Sequence, residues 1–94
     1  MFEKIAVAAI SFVPEKFALD KNTNRLEAQF RRAAAHGAQL ALAPEGILEG
    51  YVVMDIIEGR VAAEEMRAVA VATRGARIER FRALARELKM CLAF

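Results

Sequence analysis

Cysteine is nearly absent from these 94 residues: Cys91 stands alone. A single thiol cannot close an internal disulfide, so a reducing, cytoplasmic setting is the simple expectation. Histidine is equally scarce, and His36 and Cys91 lie too far apart in sequence to form a zinc-ligand spacing. The glycines at 37, 46, 50, 59 and 75 match neither a phosphate-binding loop nor a dinucleotide fingerprint. No apolar run approaches the ~20 residues needed to cross a bilayer. The run Ile5 to Val13 is preceded by acidic Glu3 and followed by Pro14 and Glu15. A secretory leader starts basic and ends at a small-residue cleavage site, so this is not one. Net charge is only +2, and the basic residues are spread along helices, which argues against a nucleic-acid footprint. Repeats, low-complexity tracts and linkers are missing too, leaving one structural unit over residues 1–94.

What is abundant is apolar surface. Hydrophobic residues make up 56% of the chain, and mean hydropathy is +0.23. A small domain has little interior in which to hide so much. Either something outside these residues covers it, or the chain associates with itself.

Lys4 to Phe12 (KIAVAAISF) is apolar on both faces, the pattern of a strand in a parallel sheet. After Pro14, Asp20 or Asn22 is placed to cap a helix running to about His36. Leu26, Phe30, Ala33 and Ala34 form its apolar stripe, Glu27 and Arg31 pair at four residues' spacing, and Gly37 suits the left-handed stop. Gln39 to Ala43 (QLALA) is a second strand, ended by Pro44. Strand, helix, strand makes a βαβ unit with parallel strands. Glu45 to Arg60 reads as loop. Val61 to Thr73 reads as helix, and Ala76 to Leu88 as a clearer one, with Ile78, Phe81, Leu84, Ala85 and Leu88 on one face. Met90 to Phe94 is a third buried strand. The fold class is α/β.

The segment that carries chemistry is Leu40 to Tyr51, LALAPEGILEGY. Ligands of open α/β sheets sit beyond the carboxyl ends of the strands. Pro44 ends the strand and leaves Glu45 at that edge. Beside Leu42, Ile47 and Leu48, a carboxylate would be partly desolvated, which raises its pKa toward that of a useful general base. On position alone, a carboxylate that merely serves a turn is the simpler reading. Glu49 reads as a solvated loop charge, Tyr51 as a ring packed on the sheet, and His36 as a helix-end residue. Lys89 reads as a solvated helix end. Met54, Met66 and Met90 read as space-filling, and Cys91 as a buried small hydrophobe.

Pro44-Glu45 followed by Gly50-Tyr51, within strand–helix–strand, resembles the opening of the nitrilase superfamily of carbon–nitrogen hydrolases. The strand KIAVAAI, the helix up to Gly37 and the helix ARIERFRALARELKM before a strand extend the resemblance over essentially the whole chain. It implies that the chain is the incomplete N-terminal portion of a hydrolase domain, half of an α-β-β-α sandwich. It also implies a Glu-Lys-Cys mechanism without cofactor or metal, acting on a small-molecule amide or nitrile. Glu45 matches the family's glutamate; the lysine and cysteine positions lie beyond Phe94, so the 94 residues alone should be inactive. A homo-oligomer is expected, with no nucleic-acid or membrane partner. The alternatives are a non-catalytic α/β module that self-associates through an exposed sheet face, and small-ligand binding at the strand ends.

Overall fold

The computed structural model describes residues 4–94, so Glu3, weighed above against a leader, lies outside the described residues. Its elements are β1 (Val7–Ala9), α1 (Leu19–Ala35), β2 (Leu40–Leu42), α2 (Val53–Ile57), α3 (Ala63–Ala68), α4 (Ala76–Leu88) and β3 (Cys91–Ala93). The strands form one parallel sheet in the order β1-β2-β3, with Val7, Leu40 and Cys91 in register. Pairing runs a little past the strands: Ile10 N–H donates to the Leu42 carbonyl at 2.7 Å, and Ala43 N–H to the Ala93 carbonyl at 2.8 Å. Mixed helices and a small parallel sheet are what an α/β fold requires.

Helices α1 and α4 lie side by side and supply most of the core. Leu26 and Phe30 of α1 are fully buried, and Phe81 and Leu84 of α4 nearly so. Phe30 meets Phe81 edge-to-face at 5.9 Å between centroids, and Phe81 meets the Phe94 ring at 4.7 Å. Each such aromatic pair adds about 0.5–1.5 kcal/mol beyond the area it buries. A polar seam sets the helix register. Arg80 binds Glu27 at 2.8 Å and Asn24 at 2.9 Å, Arg77 binds Asp20 at 2.9 Å, and Arg31 pairs with both Glu27 and Glu87. Exposed pairs stabilise by only about 0–1 kcal/mol each; burial holds the helices together and the seam orients them.

The sheet is covered on one side only. Ala8, Ile10, Ala41 and Leu92 face the helices. Val7, Leu42 and Cys91 lie on the opposite face and are exposed there, with Ile5 just before β1 exposed as well. The expectation of strands buried on both faces is therefore corrected: the described residues provide one covering layer. The reading of Cys91 as buried is corrected for the same reason. Met54 is exposed as well, Met66 half-buried, and only Met90 fills core space.

Other boundaries moved. Helix α1 starts at Leu19 with Ala18 at its N-cap position and no side-chain cap. Asp20 is instead occupied by Arg77, and Asn22 is buried. Gly37 follows α1 at φ +86°, as expected. The segment read as loop contains the five-residue α2. The helix expected over Val61 to Thr73 survives only as α3, which buries no residue; without an apolar face to dock, propensity alone does not sustain a helix this short. Among the described residues no helix is long and apolar enough to cross a membrane.

The open face has a direct consequence for the thiol. At low protein concentration Cys91 should be alkylated by iodoacetamide in the folded state about as fast as an unhindered thiol. Protection of 100-fold or more under those conditions would contradict the open face.

Candidate functional site

Two loops meet at the carboxyl ends of the strands. The first, Val13 to Ala18, follows β1. The second, Ala43 to Val52, follows β2 and carries Glu45. Asn22, fully buried on the first turns of α1, ties them together. Its Nδ2 donates to the carbonyls of Glu15 at 2.7 Å and Leu48 at 2.8 Å, and its Oδ1 accepts from Glu15 N–H at 2.9 Å. Phe17 N–H donates to the Glu49 carbonyl at 2.8 Å. A buried amide with its hydrogen bonds satisfied specifies a single arrangement, because leaving the partners unmet would cost about 1–3 kcal/mol each.

Gly50 explains half of the Gly-Tyr dipeptide. It is buried at φ +94°, and a Cβ there would lie 2.6 Å from the Cα of Lys16 and 2.8 Å from the Glu15 carbonyl. The loops touch backbone to backbone at that point. Tyr51 is the other half: its ring lies over Gly46, and the side chain is 46% exposed. It packs on its own turn and not on the sheet, correcting the expectation. The turn closes through Gly50 N–H and Tyr51 N–H, both donating to the Gly46 carbonyl at 3.0 and 2.8 Å.

A second clasp was missed in the sequence. Asp55 of α2 is 4% exposed and receives Lys16 Nζ at 2.7 Å and Arg60 Nε at 2.9 Å. The Lys16 ammonium, with the Arg60 guanidinium behind it, holds the Asp55 carboxyl below its ordinary 3.8. One acid in the apolar run YVVMDII was the available signal, since a charge in such a run is paired when buried.

Glu45 stands just past Pro44, at the strand ends, where expected. It is exposed, and among the described residues no hydrogen bond or ion pair engages it. The partial desolvation inferred from its neighbours is absent: Ile47 and Leu48 point into the core and Leu42 is exposed, so none of them covers the carboxylate. Beside it opens a cleft of about 330 Å³, floored by Ile47 and Leu48, walled by Met66, Val71 and Phe94, and bordered by Glu49. Glu49 is half-buried there, not a fully solvated loop charge. His36 Nδ1 donates to the Arg32 carbonyl at 2.9 Å at the end of α1. Lys89, exposed, ends α4 at φ +51°. Neither approaches Glu45's loop in sequence, and Cys91 sits at the opposite, amino end of β3. Among the described residues, no group of three His, Cys, Asp or Glu side chains could hold a metal ion.

No protein-family model matches the chain, and no curated protein matches it. Among solved structures it is similar to an amidase from Nesterenkonia sp., with a TM-score of 0.64 and 27% identity. The match covers 94% of this chain and 30% of the amidase chain. The described α/β architecture is thus of an amidase-like kind, and the chain spans under a third of that enzyme's length.

The two clasps make separate predictions. Gly50→Ala should destabilise by about 2–4 kcal/mol, combining a left-handed backbone with a backbone clash. Gly37→Ala, which meets no atom within 4 Å, should cost only about 1–2 kcal/mol. Denaturant midpoints compare them; equal losses would remove the loop contact from the account. For Asp55, a lowered folded-state pKa means stability that is present above 3.8 and lost as pH falls through the folded value. Between pH 7 and pH 3 the wild-type chain should therefore lose more stability than Asp55→Asn, measured by denaturation at both pH values.

Proposed function

We propose that this chain is the N-terminal portion of a carbon–nitrogen hydrolase of the nitrilase type, acting on a non-peptide amide or nitrile. The observation that carries the reading is Glu45: a free, exposed carboxylate beyond the carboxyl end of a parallel strand, inside a segment that matches a solved amidase over 94% of this chain. Glu45 is the acid–base group. It takes the proton of a cysteine thiol supplied by polypeptide beyond these residues, and the thiolate attacks the amide or nitrile carbon. A lysine, also from beyond Phe94, stabilises the charge that develops. With an amide substrate the amine or ammonia leaves with the proton returned by Glu45; water then cleaves the thioester, releasing the acid and restoring the thiol.

Cys91 does not serve as that thiol. It lies on the open sheet face, at the end of β3 opposite to Glu45. The 94 residues are accordingly inactive alone, and a covering layer is needed to desolvate Glu45.

The test uses the chain extended along its reading frame, which should supply the lysine and the cysteine. Glu45→Gln in that protein should lower amide hydrolysis by about 10²–10⁴-fold while circular dichroism stays unchanged. Activity within tenfold of wild type would remove Glu45 from the chemistry, and an extension lacking a cysteine would remove the mechanism.

The open apolar sheet face favours a second reading, a non-catalytic module that joins a second copy through that face. The alkylation of Cys91 separates them: under self-association its rate falls as protein concentration rises.

A further inference from the structure

The cleft beside Glu45 combines an apolar interior with one uncommitted charge. Its floor, Ile47 and Leu48, is 2% and 6% exposed, and Met66, Val71 and the Phe94 ring close the sides. No Lys or Arg borders it. Glu49 does, and its Oε1 is folded back over the turn, 2.9 Å from where a Cβ on Gly46 would stand. The acids elsewhere are mostly committed: Glu15 to Lys21, Asp20 to Arg77, Glu27 to Arg80 and Asp55 to Lys16 and Arg60. Among the described residues Glu45, Glu49 and Glu65 have no cation, and of these Glu49 lines the cleft, while Glu45 precedes its lining residue Gly46 in the chain.

We infer that this cleft binds a short aliphatic chain ending in an ammonium group, with Glu49 as the counter-charge. The inference rests on the proposed hydrolase reading for its meaning, that the substrate is an aliphatic amide carrying a terminal cation; the binding itself does not. The volume of about 330 Å³ is at the small end of ligand sites. A carboxylate set against apolar surface attracts a cation more strongly than one in bulk water, because the effective dielectric is lower. The same field repels a carboxylate ligand. The methylene groups gain from leaving water against Leu48, Val71 and Phe94. Glu45 lies four residues before Glu49, past the strand end, and under the hydrolase reading is the group that the amide carbon would have to reach.

Three probes of one length test this on the 94-residue chain: n-butylammonium, butyramide and butyrate, titrated while amide ¹⁵N–¹H shifts are followed. Butylammonium should move the resonances of residues 46–49 and 69–71 saturably, butyramide more weakly, and butyrate not at all. Glu49→Gln, nearly isosteric and with Glu49's backbone bond to Phe17 retained, should weaken butylammonium about tenfold and leave butyramide unchanged. Added salt should weaken butylammonium alone, which checks the charge term without any variant. Absence of shifts at those residues, or equal butylammonium affinity in Glu49→Gln, overturns the inference. Binding that behaves as stated while Glu45→Gln leaves hydrolysis intact would sink the hydrolase reading and spare the site. Loss of hydrolysis in Glu45→Gln without butylammonium binding would do the reverse.

Discussion

Asn22 is wholly inside the protein, and its one side chain satisfies backbone groups from both strand-end loops. Among the described residues nothing else links Glu15 to Leu48 directly. The link forces the loops so close that Gly50 meets Lys16 without room for a Cβ. Leu48 and Ile47, drawn inward by that contact, enter the core that α1 and α4 build. Glu45 and Glu49 are left outside because their neighbours are committed inside. The position of both carboxylates thus follows from a hydrogen-bonding demand on one buried amide. The Lys16–Asp55–Arg60 clasp extends the same construction: it fastens the first loop to α2, and the buried carboxylate of Asp55 is the member whose burial demands a cation.

The uncovered sheet face is the other constraint. Val7, Leu42 and Cys91 lie where a parallel sheet ordinarily has a second layer. The strands themselves are only three residues long as paired, so each contributes few ladder hydrogen bonds and the sheet relies on side-chain burial against the helices. The face that receives no helix is as apolar as the face that does. That symmetry is a sequence property, and it is why the pattern of the strands alone points to cover on both sides.

Much of this was legible before the structure. The 3.6-residue pattern of Phe81, Leu84 and Leu88 set α4 at the bounds it has, and the parallel pairing of β1 with β2 followed from strand, helix, strand. Glu45 was readable because Pro44 must end a strand. The failures have physical causes. Asn22 was taken as a cap because asparagine favours that role locally, whereas its partners lie 7 and 26 residues away, which no window of sequence contains. The acid of VVMDII was passed over because glycines on either side suggested loop, although a lone charge among apolar residues carries its own demand for a cation. The burial of Cys91 was inferred from a strand apolar on both faces, and that inference assumes a second layer which these residues do not provide.

Exposure of Glu45 and the chemistry proposed for it are consistent once the layer is considered. General acid–base chemistry of the kind proposed works best in a site closed to bulk water. In the proposed hydrolase, further polypeptide laid over the loop would take Glu45 out of bulk water. Under the proposed hydrolase reading, covering Glu45 is therefore what would fit it to the chemistry. Both carboxylates hang from the loop that Asn22 and Gly50 hold in place, so anything that covers that loop changes the surroundings of both at once.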